Sequence, residues 1–243
     1  MKKCKRRPFY QLAVIVLLFP LAACTMAGKP SVGSDVRDGS LNLPNKLLVL
    51  PVSVSIREIS AGGVVQEDPI WSKEGESVMT LAVNEFFAKR GTTTSLKTMP
   101  ELSNEEEELV HEHILLYDAV ASQAYIAANV PAYGWSHLAT DFHYTLGNGL
   151  RFLKQKSGAD AALIVIGYDN ISTGGRKALV AIAALAGVGM PLGSSKVLVG
   201  VVDLEDGDIL WFQHSFAQGN LDLRKPEDAN TLLAKAMEGY GGK

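Results

Sequence analysis

Runs of apolar residues mark four candidate strands along the chain. Residues 47–52 and 161–168 are almost unbroken apolar runs, a pattern typical of strands that are covered on both faces. Residues 197–202 and 209–212 are two further runs, and the acidic segment between them contains Asp206-Gly207. Asp-Gly between two such runs predicts a hairpin with a two-residue turn, because glycine adopts the positive φ of that turn without steric cost.

Apolar residues spaced three and four apart mark four candidate helices, and the order of all these elements predicts the fold class. A strand comes first, then helices, then strands and a last helix, which predicts an α/β fold: one mixed-sheet domain with helices packed on the sheet. The candidate helices and their expected inward side chains are 71–90 with Met79, Val83, Phe86 and Arg90; 103–128 with Leu109, Leu116, Val120, Ala124 and Ala128; 137–156 with Leu138, Phe142, Leu146 and Leu153; and 228–237 with Leu232, Leu233, Ala236 and Met237.

Local signals place the ends of these helices. Ser72 is the expected N-cap of the first helix, and Ser103 forms a capping box with Glu106 at the start of the second. Gly147 and Gly149 lie inside the third helix. Each glycine costs about 1 kcal/mol of helix propensity, so the third helix is open to a break at this point.

The first 24 residues resemble the signal peptide and lipobox of bacterial lipoproteins. Five basic residues and no acidic one lie within the first seven positions, and residues 12–21 form an apolar run too short to span a bilayer. Leu21-Ala22-Ala23-Cys24 follows. The resemblance implies cleavage before Cys24 and lipidation of its thiol, the alternative being an ordinary signal peptide that happens to end at a cysteine. Thr25 is not an aspartate, which in this class of protein implies the outer membrane, with the domain facing the periplasm.

Composition narrows the role of the mature chain. Loss of residues 1–23 leaves 18 basic and 26 acidic residues, a net charge near −8, without any basic block that would indicate a nucleic-acid partner. Cys4 leaves with the signal and Cys24 carries lipid, so we expect no disulfide within one mature chain. Residues 24–46 are rich in polar residues and glycine and are predicted to be a flexible tether, about 25 Å in r.m.s. span. The α/β domain is expected over 47–240.

Three motifs resemble the periplasmic lipoproteins related to the curli-secretion family and the amino-terminal domain of the Tol-system periplasmic protein. They begin with Leu47-Leu48-Val49-Leu50-Pro51, the Gly158-Ala159-Asp160 that precedes an apolar strand, and Val201-Val202-Asp203-Leu204 before the hairpin turn. The resemblance implies a small α/β domain that serves envelope assembly or transport and is not an enzyme. Curli-secretion proteins build a pore from alternating amphipathic strands, which residues 178–190 lack. A pore-subunit relative is therefore kept only as an alternative.

Histidines offer the main alternative chemistry. His137 and Asp141 are four residues apart on one face of the third predicted helix, with His143 nearby, a spacing that could supply zinc ligands. A metal-assisted hydrolase built on these three residues is thus a rival function. A solvated helix surface explains the same residues, and we predict no catalytic residue, no metal and no cofactor.

The strongest candidate for a functional surface is the apolar run at residues 178–191. Its glycine- and alanine-rich composition favours an exposed docking element over a buried core helix, although both remain open. Arg176 and Lys177 at its start could meet lipid phosphates or acidic side chains. The expected partners are the membrane, through the lipid anchor, an envelope protein and a possible second copy of the chain. The candidate docking residues are Arg176, Lys177, Leu179, Ile182, Leu185 and Val188.

Overall fold

Nine strands form one mixed sheet in the described part of the chain. The computed structural model describes residues 25–27, 30–39, 41–90, 94–129, 142–219 and 221–240. The strands are β1 (Thr25–Ala27), β2 (Ser31–Val32), β3 (Lys46–Val49), β4 (Ser53–Ile59), β5 (Val65–Glu67), β6 (Ser95–Lys97), β7 (Ala161–Ser172), β8 (Gly193–Asp203) and β9 (Ile209–Gln218). The helices are α1 (Ser34–Arg37), α2 (Pro69–Arg90), α3 (Asn104–Asn129), α4 (Arg151–Ser157), α5 (Gly174–Leu185) and α6 (Pro226–Ala236), and Asn148–Leu150 forms a 3-10 turn.

The mixed α/β fold predicted from the sequence is confirmed. β7 is the longest strand and pairs antiparallel with β8 on one side and parallel with β3 and β4 on the other. β3 and β4 pair with successive parts of the same edge of β7, and Pro51 lies in the chain between them. β9 pairs antiparallel with β8, and β1 and β2 pair antiparallel with β9. The order across the sheet is β1-β9-β8-β7-β3-β6, with β2 also beside β9, β4 also beside β7, and β5 beside β4.

Both faces of the sheet are covered, as the unbroken apolar runs predict. Helices α2 and α6 pack on one face, where Met79, Val83 and Leu232 join Val165 and Val199 in one core cluster. Helices α3 and α4 pack on the other face in a second cluster. Successive side chains of a strand point to opposite faces, so the neighbours Trp211 and Phe212 enter different clusters. A hairpin with one solvated face would leave one ring of this pair partly exposed, but both rings are buried because both faces are covered.

Helix α2 begins earlier than predicted. Its cap is Asp68, whose carboxylate accepts hydrogen bonds from the backbone N–H groups of Ile70 and Trp71 at 2.9 and 3.0 Å. Ser72 was the predicted cap, but its hydroxyl is buried and accepts a hydrogen bond from the N–H of Ile56 at 2.9 Å. It therefore ties the helix to β4.

Helix α3 has the predicted capping box, and its inward face matches the predicted one in part. The N–H of Ser103 donates to the Glu106 carboxylate at 2.8 Å, and the N–H of Glu106 donates back to the Ser103 hydroxyl at 3.4 Å. Of the side chains expected inside, Val120 and Ala124 do pack on the sheet, whereas Leu109 and Leu116 are exposed. The buried residues that pack on the sheet are Val110, Ile114, Tyr117, Ala121 and Ala124.

The third predicted helix is much shorter than expected. Of residues 137–156, those at 137–141 lie outside the described residues, and helix α4 begins only at Arg151. Residues 144–146 instead pair with the hairpin between β8 and β9. The N–H of Leu146 donates to the carbonyl of Gly207 at 2.8 Å, and the N–H of Ile209 donates to the carbonyl of Tyr144 at 2.8 Å.

The hairpin between β8 and β9 is confirmed, but its turn is longer than two residues. The strands end at Asp203 and resume at Ile209, and the N–H of Asp203 donates to the carbonyl of Asp208 at 2.9 Å. The turn is longer because Leu204 is drawn into the core, where it is 1% exposed. Gly207 has the predicted positive φ, at 84°.

Part of the segment predicted to be a tether is structured. Thr25 of β1 pairs with Ala217 of β9, and Ser31 of β2 pairs with Phe212 of β9. Polar composition predicted flexibility, but backbone hydrogen bonds to β9 do not depend on side-chain hydrophobicity. The ordered part of the chain therefore begins before Leu47.

Candidate functional site

Helix α5 connects β7 to β8 and leaves most of its apolar side chains exposed. Thr173 caps the helix by accepting a hydrogen bond from the N–H of Arg176 at 3.1 Å. At its other end Gly187 has a φ of 78°, and the N–H of Val188 donates to the carbonyl of Ala183 at 2.8 Å. This closure is a Schellman motif, which stops the helix and turns the chain towards β8.

The exposure pattern of α5 shows which side faces the domain. Val180 is 8% exposed, whereas Ile182 is 64% and Leu185 is 91% exposed. Helical geometry puts Arg176 and Val180 on one stripe and Ile182 on the opposite side. An apolar helix face that is exposed to this degree is a candidate docking surface.

Arg176 does not take the place that the sequence suggests. We expected it to meet phosphates or acidic groups at the surface, but it is 9% exposed. Its guanidinium donates to the carbonyl of Pro191 at 3.4 Å, and its Nε has no hydrogen-bond partner among the described residues. Arg176 therefore anchors α5 to the domain, and Lys177 is the exposed cation at the start of the helix.

The loop between β4 and β5 lies beside the start of α5 and adds to the same surface. A Cβ placed on Gly175 would lie 3.6 Å from the Cβ of Ala61, and the N–H of Thr173 donates to the carbonyl of Ile59 at 3.0 Å. Val64 and Val65 are 67% and 48% exposed. We call this surface the apolar end; it comprises Val64, Val65, Leu179, Ile182, Leu185 and Val188, six of the twelve exposed large apolar side chains in the described part of the chain.

The position of β1 relates the apolar end to the predicted lipid anchor. Cys24 itself lies outside the described residues, but Thr25 pairs with Ala217, and Ala217 pairs with Ser195. Ser195 is two residues from Gly193, where the chain enters β8 from α5. The chain therefore enters the sheet at the end that carries α5.

A second group of functional side-chain types lies on the sheet beside α3. Lys196 of β8 is opposite Tyr168 of β7, and its Nζ lies 4.5 Å from the centre of that ring and 6.0 Å from the ring of Tyr125. The hydroxyl of Tyr168 donates to the carboxylate of Asp118 in α3. We call Asp118, Tyr125, Tyr168, Lys196 and His214 the Lys196 cluster.

The electrostatics of the Lys196 cluster follow from burial. Burial lowers the pKa of Lys196 despite the nearby Asp118 carboxylate. Burial also lowers the pKa of His214 to about 4, and the positive charge of Lys196 adds to this effect. The ring of Tyr125 packs edge-on against His214 at 4.5 Å. Lys196 is thus enclosed by rings and by a carboxylate, an arrangement that joins α3 to the sheet.

His143, one of the three proposed metal ligands, lies at the opposite end of the sheet from α5. His143 lines an open pocket of about 140 Å³ together with Asp35 and Asp208. His137 and Asp141, the other two proposed ligands, lie outside the described residues. Within the described ranges, no group of three or more His, Cys, Asp or Glu side chains is arranged to hold a metal ion.

The helices were also compared with the length and hydropathy of a membrane span. Among the helices in the described ranges, none combines the length and hydropathy needed to cross a bilayer. Helix α5 has 12 residues and is about 18 Å long, well short of the roughly 30 Å hydrocarbon core.

Sequence reasoning found α5 but missed two parts of this arrangement. Val64 and Val65 follow Gly62-Gly63, and such a double glycine before two valines is a signal for an exposed hairpin tip. The Lys196 cluster joins residues of α3, β7, β8 and β9, which are far apart in sequence. The one local signal is that Tyr168 ends the apolar run of β7 and Lys196 directly precedes the apolar run of β8.

Comparisons with known proteins give only distant similarity. No protein-family model matches the chain, and no curated protein matches it. A solved structure of a PelC dodecamer from Paraburkholderia phytofirmans is similar at 13% identity with a TM-score of 0.36, covering 90% of this chain and 99% of that one. A single-residue variant of that dodecamer, in another space group, is similar at 12% identity with a TM-score of 0.35, covering 91% of this chain and 99% of that one.

Proposed function

We propose that the mature chain is a lipid-anchored lipoprotein of the outer membrane that faces the periplasm. In this role it acts without catalysis, as a binding or assembly factor in an envelope transport or secretion complex. Cys24 carries the lipid, and the apolar end is its docking surface. The observation that carries the proposal is the exposure of α5, whose Leu185 side chain is 91% exposed.

Two further observations support this proposal. The lipobox at residues 21–24 and the three motifs that resemble curli-secretion-related lipoproteins both favour an envelope role. An exposed apolar helix face costs solubility unless something covers it in the cell. A docking role gives that face a partner.

The docking role predicts a specific effect of one charge. Leu185→Glu places a carboxylate in solvent, so the stability of the domain should change by less than about 0.5 kcal/mol. The same change should abolish association with the membrane surface or with a partner, because an isolated charge resists burial in an apolar interface. Thermal melts and co-purification from membranes measure the two effects.

Leu81→Glu is the matched control, because Leu81 is 68% exposed on α2 and lies outside the apolar end. It should leave both stability and association unchanged. If the melt of Leu185→Glu collapses, α5 is a core element and the docking role is wrong. If Leu185→Glu and Leu81→Glu associate as wild type does, the apolar end has no docking role.

The second candidate function is the metal-assisted hydrolase built on His137, Asp141 and His143. It is favoured only by the presence of His143 beside two carboxylates in the pocket at the other end of the sheet. Metal analysis of the purified protein tests it. One bound zinc per chain that is lost in His137→Ala would support the hydrolase, and we expect no such stoichiometric zinc.

A further inference from the structure

The distance between the lipid and the folded domain is set by β1. If the lipid is attached to Cys24, only that residue separates it from Thr25, which pairs with Ala217 at the edge of the sheet. A long tether would hold the domain clear of the bilayer, but a chain that enters the sheet at Thr25 leaves no such tether. The end of the sheet where β1 begins must then contact the bilayer surface.

The apolar end lies at the same end of the sheet as the start of β1. β1 is two strands away from β8, a lateral distance of about 10 Å, and β8 follows directly from the α5 connection. Helix α5 and the loop between β4 and β5 therefore lie at the same end of the sheet as the point where the lipid leaves the chain.

The chemistry of this surface matches a lipid headgroup layer. Residues 60–65 and 173–192 contain no Asp or Glu, although the mature chain carries 26 acidic residues against 18 basic ones. The exposed cation of this surface is Lys177, at the start of α5. Apolar side chains with a basic residue at their border are typical of segments that lie in a membrane interface.

We infer that the apolar end is a membrane-contact surface: α5 lies in the interface of the same bilayer leaflet that holds the lipid of Cys24. The inference rests on the lipid anchor of the proposed function and identifies the occupant of its docking surface. Ile182 and Leu185 enter the acyl boundary, and Lys177 meets the phosphates. The anchor and α5 thus hold the domain in one orientation, with the β8–β9 turn and its pocket pointing away from the membrane.

Fluorescence quenching in vesicles tests this inference. The full chain is expressed, processed and purified with its lipid, and is reconstituted in phosphatidylethanolamine and phosphatidylglycerol vesicles that contain brominated acyl chains. A bimane label on Leu185→Cys should lose most of its emission to the bromine and shift to shorter wavelength. The same label on Leu81→Cys, the matched exposed position on α2, should be unaffected.

The outcomes separate the inference from the proposed function. Wild-type protein that takes up the label has a free Cys24 thiol, and this result would mean that the anchor itself is wrong. With Cys24 acylated, equal emission from the labels at 185 and 81 overturns the membrane contact alone. Shielding of the Leu185→Cys label that grows with protein concentration in detergent would assign the surface to a second copy. Shielding only in native membranes would assign it to a protein partner, and either result overturns the inference.

Discussion

Two buried ionisable residues have opposite effects on stability over the same pH range. The carboxylate of Asp169 in β7 accepts hydrogen bonds from the Ser195 hydroxyl and the Leu223 N–H, at 2.8 and 2.9 Å. Burial nevertheless raises its pKa from 3.8 to about 6. His214 lies on the other face of the sheet, where burial lowers its pKa from 6.5 to about 4. Both groups therefore change protonation between pH 4 and 6.5.

The directions follow from comparing the folded and unfolded pKa values. Folded Asp169 keeps its proton at pH values where the unfolded chain has lost it. Its contribution to the free energy of unfolding therefore falls by about 3 kcal/mol as the pH rises from 4 to 6. Folded His214 stays neutral at pH values where the same residue of the unfolded chain takes up a proton. Its contribution to the free energy of unfolding is complete above pH 6.5 and falls by about 3 kcal/mol as the pH drops towards 4.

Asp169→Asn is expected to make the contribution of His214 to the pH dependence of stability measurable. The asparagine amide can donate to Ser195 and accept from Leu223, so both hydrogen bonds survive while the titration is removed. Relative to wild type, stability should then rise more steeply from pH 4 to 6.5. His214→Gln should do the reverse, which makes it the matched control. Urea midpoints measured across this range test both variants, and a profile parallel to that of wild type in Asp169→Asn would contradict the shifted pKa.

Gly207 is constrained by contact as well as by its backbone conformation. A Cβ at this position would lie only 1.9 Å from the carbonyl oxygen of Gly147. Gly158 also has a positive φ, at 66°, but it has open space around it. Gly158→Ala should therefore cost about 1–2 kcal/mol from backbone strain alone. Gly207→Ala should cost clearly more, about 3 kcal/mol, and equal denaturation midpoints for the two variants would contradict the contact.

Whole elements were predicted well where a local pattern determines them. The apolar runs predicted β7, β8 and β9, and the capping box predicted the start of α3 within one residue. The inward face of α3 was predicted only in part because this helix is apolar over a wide arc, which includes Leu109, Leu116 and Tyr117. The contact of the Tyr117 ring with Gly200 of β8 decides which side packs, and that contact is between distant residues.

The prediction of a helix over residues 137–156 was wrong for a related reason. Phe142 and Leu146 have helical spacing and are both buried, so the pattern identified core residues correctly. The segment is not helical because the backbones of Tyr144 and Leu146 hydrogen-bond to the hairpin, at Ile209 and Gly207 respectively. Long-range backbone pairing of this kind overrides helix propensity, and the two glycines at 147 and 149 already weaken it.

Helix α5 should be dispensable for folding, because it contributes little to either core. β7 and β8 stay in register up to the pair Ile171 and Gly193. Replacing residues 173–191 by Asn-Gly should therefore close a regular hairpin across Ser172 and Leu192. We expect a domain with circular dichroism and thermal melt close to wild type, in which the apolar end is largely removed. An unfolded variant would show that α5 belongs to the core.

At the scale of the whole molecule, the proposed lipid on Cys24 should decide where the domain resides. Cys24 is the sole cysteine of residues 24–243, so its replacement removes no disulfide within that part of the chain. The exposed face of α5 is only a few side chains wide. A single weak element of this kind binds a bilayer only reversibly, whereas stable attachment takes two or more acyl chains.

Cys24→Ser should therefore release the domain from the outer membrane. Placed behind an ordinary cleavable signal peptide, this variant should be recovered in the periplasmic fraction with an unchanged melt, since Thr25 and the sheet are intact. The wild-type chain should incorporate labelled fatty acid and fractionate with the outer membrane. Failure of the wild type to take up the label would contradict the lipobox. If the serine variant stayed on the membrane while the wild type was labelled, α5 would be a stronger anchor than its 12 residues suggest.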